Sequence, residues 1–341
     1  MDLIAAATAA VERLPLPDAV TLAGVEYLVG RTGRRLAGQP SNEEAFARTM
    51  KDFPIAIHTE DANAQHYEVP AAFFDLCLGP RRKYSCCYYA SPDTSIGDAE
   101  EEALAQTAEH AKLADGQEIL ELGCGWGSLS LYMAAKYPKA KITAVSNSHG
   151  QRQHIEQLAA AQGSTNLKVI TCDMNDFQAD ARFDRVISVE MFEHMSNWEA
   201  LLGKVKGWLK PDGYLFIHIF THDRSCYRFD HADKSDWIAQ HFFTGGIMPS
   251  HGLLRHFPEL FTVEEEWRWN GRHYAQTAFD WLHRFDDNQP AIAQIFRETY
   301  GKDARLWERR WRLFFLATAG LFGHKDGVPW AVSHYRLKPS G

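Results

Sequence analysis

Between residues 116 and 220 the chain alternates short apolar runs with amphipathic ones, and this alternation constrains the fold more than any other feature. Glu118–Leu122 (EILEL), Lys141–Ser146 (KITAVS), Leu167–Cys172, Arg185–Glu190 and Tyr214–Phe220 have the length and apolar character of buried strands. Ser128–Tyr137, His149–Gln162 and Trp198–Leu209 separate them as helices, the last ending at a Lys210-Pro211-Asp212-Gly213 turn. Strands that alternate with helices imply a parallel, doubly wound sheet covered on both faces.

The flanks are less regular. Before residue 116 the pattern is helical and loop-rich: Ala5–Leu14, stopped by prolines 15 and 17; Pro70–Leu78, closed by Gly79-Pro80; and Ala99–Ala111, with acids in its first turn. After residue 220, turn clusters fill 221–260. Phe261–Trp269 reads as an edge strand, Thr277–Phe285 and Ala304–Leu321 as aromatic-rich helices, and Trp330–Leu337 as a final strand. The expected organisation is an N-terminal helical extension over the site (1–115), a ligand-binding core (116–220), and a cap insertion with closing strands and helices (221–341).

The loop Glu121-Leu122-Gly123-Cys124-Gly125-Trp126-Gly127 joins the first strand to the first helix. In a parallel sheet that loop lies at the carboxyl ends of the strands, where ligands bind. Its glycines allow a tight turn and close approach of backbone to a ligand. The spacing is G-x-G-x-G, not the G-x-G-x-x-G of dinucleotide folds, and suits S-adenosylmethionine better than NAD.

Composition narrows the partners. The 341 residues hold 36 Lys and Arg against 44 Asp and Glu, a net charge of −8 that argues against binding nucleic acid. No stretch approaches the roughly 20 apolar residues of a membrane span. Met1-Asp2-Leu3-Ile4 lacks the basic start of a signal peptide, and six sparse cysteines, with Cys86-Cys87 adjacent, suit free thiols in a reducing cytoplasm. No His pair has metal spacing, so no metal is expected. Aromatic residues reach 12%, with 10 Trp, and cluster outside the alternating core.

The segment ILELGCGWGSLSLYMA resembles motif I of class I methyltransferases, and its Trp126 narrows the resemblance to the branch shared by cyclopropane fatty acid synthases and coclaurine-type N-methyltransferases. His66-Tyr67-Glu68, Tyr84-Ser85-Cys86-Cys87-Tyr88, Val189-Glu190-Met191-Phe192-Glu193-His194-Met195, Phe242 to Ser250 (FFTGGIMPS) and His273-Tyr274-Ala275-Gln276-Thr277 are similar to further blocks of that branch, over roughly residues 60–335. The resemblance implies a Rossmann-like, seven-stranded, mostly parallel sheet with S-adenosylmethionine as cofactor. It implies that Tyr84, Ser85, Gly123 and Gly125 line the methionine end, that Ser146, Gln151 and Asn147 replace the usual ribose-binding acid, and that Asp173 and Met174 hold the adenine. The first 60 residues carry no such resemblance; an N-terminal helix there stands as a candidate contact element for a homodimer.

Methyl transfer from a sulfonium is an in-line displacement, catalysed mainly by positioning and electrostatics. Glu190, Glu193 and His194, at the end of the fourth strand, suit an amine: carboxylates orient an ammonium and an imidazole accepts its proton. Cyclopropane synthases of the resembling branch carry glycine where this chain has Glu190, and build a bicarbonate site from Cys, Glu, His and Tyr; Cys86, Glu193, His218 and Tyr274 supply those types here. Glu68 is a candidate substrate contact or a loop carboxylate, and His218 either a satisfied core histidine or a site residue. Phe243, Trp237 and Trp330 are expected around the acceptor. The leading expectation is therefore N-methylation of a small amine with an aromatic or apolar body, without stable membrane association. The alternative is modification of an unsaturated fatty acyl phospholipid.

Overall fold

The computed structural model describes residues 11–12, 14, 16–57, 69–234 and 236–341. Seven strands form one sheet in the order β3-β2-β1-β4-β5-β9-β8. They are β1 (Glu118–Leu122), β2 (Lys141–Ser146), β3 (Leu167–Thr171), β4 (Phe183–Val189), β5 (Leu209–His222), β8 (Phe261–Trp269) and β9 (Trp330–Pro339). The pairs among β1 to β5 are parallel, and β9 is antiparallel to both β5 and β8. This is the mostly parallel sheet expected, with Phe261–Trp269 at its edge. A two-stranded ribbon, β6 (Tyr227–Arg228) with β7 (Ile247–Met248), stands apart.

The turn expected at residues 210–213 does not break the chain. Leu209 pairs with Phe183 and Tyr214 with Arg185, so the intervening residues bulge out of a continuous β5.

Nearest the N-terminus lie α1 (Asp18–Ala37), α2 (Glu43–Met50), α3 (Ala71–Cys77) and α4 (Ile96–His110). Ser95 caps α4 through Asp98 N–H. The crossover helices are α5 (Ser128–Lys136), α6 (His149–Ala161) and α7 (Trp198–Trp208). After β5 come α8 (Trp237–His241), α9 (Arg272–Asp287), α10 (Gln289–Tyr300) and α11 (Ala304–Gly323). Of the expected Ala5–Leu14 helix, all but residues 11, 12 and 14 lie outside the described residues. The sequence pattern did not reveal α1 or α10.

α1 meets α11 at two places. Arg312 on α11 donates to both Asp18 carboxylate oxygens at 2.5 and 2.9 Å. Farther along, a side chain on Gly320 of α11 would come within 2.5 Å of Val25. The helices therefore touch backbone to side chain, and α1 roofs the carboxyl ends of the strands.

The aromatic excess divides in two. Phe73, Phe74, Phe285, Phe296, Trp311 and Phe315 pack into the buried core of this helical cover. A second set, including Tyr84, Trp126, Phe229, Trp237 and Phe243, faces a cavity beneath it. The strand order reverses between β1 and β4, the switch point where parallel sheets open a crevice. That crevice is the floor of the cavity.

Candidate active site

The cavity has a volume of about 1200 Å³. Its floor comes from the loops after β1, β2, β3 and β4, its roof from α1 and α11, and its side from residues 227–248. Among the described residues no cluster of His, Cys, Asp or Glu is arranged to hold a metal ion.

The glycine loop turns through left-handed backbone, with φ of 78° at Gly123 and 52° at Gly125. A side chain on Gly123 would meet Met191 at 2.7 Å, whereas one on Gly125 would meet nothing within 4 Å. Gly123 is thus pressed against the loop after β4, and Gly125 leaves open space for a ligand to approach the backbone. Beneath them, Glu121 accepts from Ser130 Oγ, and burial pushes its pKa up to about 7.

After β2, Ser146 Oγ donates to Gln151 Oε1 at 2.6 Å, and Ser148 caps α6 by accepting from Gln151 N. These bonds fix the Gln151 amide while its Nε2 stays buried without a partner among the described residues. An amide donor held in this way suits a ribose hydroxyl. Asn147, Asp173 and Met174 line the same cavity, with Asp173 Oδ1 held by the Asn175 N–H at 2.8 Å. Tyr84 and Ser85 line the cavity too. Ser85 Oγ accepts from the buried Lys83 Nζ at 2.5 Å, and Lys83 also donates to Cys86 O at 2.7 Å. The residues expected from sequence to hold the cofactor thus all line one cavity.

Glu190 follows β4 with φ of 46°, a left-handed conformation that costs a side-chain-bearing residue about 1–2 kcal/mol. Its carboxylate is tied on three sides. Cys86 N donates to Oε1 at 2.9 Å, His218 Nε2 lies 3.2 Å from the same oxygen, and Tyr274 Oη donates to Oε2 at 2.6 Å. Burial raises the Glu190 pKa, opposed by the Lys83 ammonium and by the bonds from Cys86 and Tyr274.

Glu193, on the short turn Phe192–His194, is fully buried, and neither carboxylate oxygen has a partner among the described residues. Burial, reinforced by the charge of Glu190, pushes its pKa well up. An unpaired buried carboxylate is costly, and the group lines the cavity. A cation entering there would relieve that cost. His194 lines the cavity too, its ring 4.4 Å from that of Phe243.

Two expectations fall elsewhere. Trp330 is fully buried and is not among the cavity-lining residues; its Nε1 donates to Tyr227 Oη at 3.2 Å, and Tyr227 does line the cavity. The ring is drawn under α1, where a side chain on Gly33 would touch it. Glu68 lies outside the described residues. Trp237 and Phe243 both line the cavity.

Sequence reasoning left His218 open and overlooked what stands behind it. His218 Nδ1 lies 2.7 Å from His334 Nε2, and His334 Nδ1 lies 2.8 Å from His110 Nδ1. The available signal was a histidine inside each of two apolar strands. A helical extension over the site was expected within residues 1–115, but the helix α1, which contributes to the cavity roof, was not recognised from its own sequence.

A family model described as mycolic acid cyclopropane synthetase matches residues 56–326. The (S)-coclaurine N-methyltransferase of Thalictrum flavum subsp. glaucum is 34% identical over 319 residues, covering 90% of this chain and 88% of that one. The cyclopropane-fatty-acyl-phospholipid synthase of Escherichia coli (strain K12) is 29% identical over 279 residues, covering 81% and 68%. The crystal structure of coclaurine N-methyltransferase bound to N-methylheliamine and SAH matches with a TM-score of 0.89 at 30% identity over 96% of each chain.

Proposed function

Since the chain belongs to the mycolic acid cyclopropane synthetase family, on its coclaurine-type N-methyltransferase side, we propose that it is an S-adenosylmethionine-dependent N-methyltransferase whose acceptor is a small amine with an aromatic or apolar body. S-adenosylmethionine, when bound, supplies the methyl group as an activated sulfonium. The unfilled Gln151 Nε2, the open face of Gly125, and Tyr84, Ser85, Asn147, Asp173 and Met174 on the same cavity fit that cofactor.

The observation that carries the amine reading is the Glu190 carboxylate. The bicarbonate site of resembling cyclopropane synthases uses Cys, Glu, His and Tyr. In this chain Cys86 N–H, His218 and Tyr274 are already engaged by a carboxylate of the protein itself. No exogenous anion is required there. Glu193 contributes a second carboxylate in want of a cation. Two such groups favour an ammonium over the double bond of a lipid, by charge attraction in a low-dielectric cavity. Phe243 and Trp237 offer ring faces to the cation and its body.

In this reading Glu190 and Glu193 bind and orient the acceptor nitrogen, and Glu190 or His194 takes the proton it must lose. Glu68 is kept as a further substrate contact. The segments before residue 116 and after 220 act as the cover that excludes water. Among the described residues, no helix is long and apolar enough to cross a membrane.

The deciding experiment offers cofactor labelled in its methyl group to the purified protein. Primary, secondary and tertiary amines, tetrahydroisoquinoline among them, compete with vesicles of unsaturated phospholipid. Label is expected in amines; label found only in lipid would overturn the reading.

A further inference from the structure

Lys83 carries a positive charge into the interior beside the site. The residue is 3% exposed and lines the cavity. Its Nζ donates to Ser85 Oγ at 2.5 Å and to Cys86 O at 2.7 Å. Both partners are uncharged, and among the described residues no carboxylate is hydrogen-bonded to the ammonium. A buried charge held this way is costly. The local chain does not depend on it, because backbone groups fix that segment. The buried Glu100 carboxylate accepts from Arg81 N at 2.7 Å and from Lys83 N at 3.0 Å, and a side chain on Gly79 would meet it at 2.5 Å.

The bonds of Lys83 reach both functional groups of the site. Cys86, whose carbonyl accepts from Lys83, donates its N–H to Glu190 Oε1 at 2.9 Å. Lys83 and Glu190 thus hold one residue by its two backbone groups. Ser85 Oγ accepts from Lys83, which leaves the hydroxyl proton to donate; among the described residues it has no acceptor, and Ser85 lines the cavity. We propose that Lys83 is a positioning residue for methyl transfer: its buried charge keeps Glu190 a carboxylate ready for the acceptor, and its bond to Ser85 turns that hydroxyl proton toward the cofactor. The first half rests on the amine reading, which gives Glu190 its task. Lys83 touches neither the acceptor nitrogen nor the sulfonium; it acts through Glu190 and Ser85.

The other groups around Glu190 cannot supply that charge. Burial pushes the Cys86 thiol and the Tyr274 phenol well up, so both stay protonated and neutral. His218 of β5 is driven well down by burial and by the Lys83 ammonium, so it is neutral as well. Glu193, on the same loop as Glu190, adds only negative charge when it ionises. Burial raises the Glu190 pKa, and the Lys83 ammonium is the foremost influence against it, ahead of the bonds from Cys86 and Tyr274. Glu100 also feels Lys83, but its two backbone donors act on it more strongly.

The test compares the parent with Lys83→Met, which removes the charge and keeps the length, and with Lys83→Arg, which keeps the charge. The acceptor is the secondary amine that the parent methylates fastest, with cofactor saturating. In Lys83→Met the acid limb of kcat/KM should move to higher pH by about one unit. Activity is then about tenfold lower on the limb and within about twofold of the parent on the alkaline plateau. Cofactor affinity by calorimetry should fall about threefold to tenfold through Ser85. Lys83→Arg should return the limb to its parent position. An unmoved limb in Lys83→Met would overturn the proposal, and so would an equal loss at every pH, which marks structural damage. If Lys83→Met does not fold, Lys83→Gln is read in the same way; failure of both to fold makes the lysine a structural necessity and also overturns it. Ionisation of Glu190 is read without turnover as well, from the infrared carboxyl band that Glu190→Gln deletes. A parent that methylates no amine would refute the amine reading, while this band still decides whether Lys83 holds the charge on Glu190.

Discussion

Tyr274 Oη donates to Glu190 Oε2 at 2.6 Å, joining the first turn of α9 to the loop after β4 across 84 residues of sequence. The bond favours the charged carboxylate against the burial that opposes it. Tyr274→Phe removes it, so the Glu190 pKa rises further. The acid limb of the pH–rate profile should move to higher pH by about one unit. A profile recorded from pH 5 to 9 checks this, and an unmoved limb would show that Glu190 is not the titrating group.

Glu190→Gly separates function from stability. The replaced residue sits at φ of 46°, where glycine is unstrained, and its side chain is 9% exposed. The variant should bind cofactor with parent affinity by calorimetry, melt at the parent temperature or above, and lose amine methylation by at least about a hundredfold. A protein that loses cofactor affinity in parallel would contradict the assignment.

Glu193→Gln should behave differently. Burial holds its pKa well up and disfavours its charged form, so as pH rises the apo parent should lose stability relative to the variant. The KM for the amine should rise about tenfold or more through the lost attraction. Urea unfolding and steady-state kinetics on the same preparation read both changes.

Glu121 sets a pH dependence of stability. Its folded pKa, raised to about 7, lies above the unfolded value near 4.5, so its contribution is fully present below about pH 4.5 and is lost as pH rises through 7. Glu121→Gln removes the titration and keeps an oxygen to accept from Ser130. Between pH 5 and 8 the parent should therefore lose stability relative to the variant, by a few kcal/mol. Melting curves across that range test it; parallel curves would contradict it.

Gly123→Ala and Gly125→Ala should part company. A side chain on Gly123 meets Met191 at 2.7 Å, and one on Gly125 meets nothing within 4 Å. Both pay for left-handed backbone, but Gly123→Ala should cost about 2 kcal/mol more. Gly125→Ala should mainly weaken cofactor binding. Thermal melts with and without cofactor distinguish them.

Much of the sheet was legible because its signals are local. β1, β2 and β8 have the bounds their sequence patterns indicate, since branched apolar runs, glycines and prolines act over a few residues. The glycine loop and the residues after β2 and β3 could be assigned for the same reason: strand ends in a parallel sheet all point one way. The cover was legible in part: helices at α3, α4, α9 and α11 were indicated, but α1 and α10 were not. α1 carries mixed polarity, so its periodicity does not announce its neighbour. Trp330 looks like any aromatic near a site until β9 turns it beneath α1.

Thus the sequence by itself determined the alternating core, the glycine loop, the family and the carboxylates at the end of β4. Only the tertiary structure decided what those carboxylates meet. Cys86, His218 and Tyr274 come from three distant segments, and their convergence on Glu190 depends on strand register and helix docking. The pairing of His218 with His334 is likewise a property of how β5 and β9 align. Local patterning selects elements within a few residues, whereas proton affinities and cation sites follow from burial and contacts that exist only once the chain has closed.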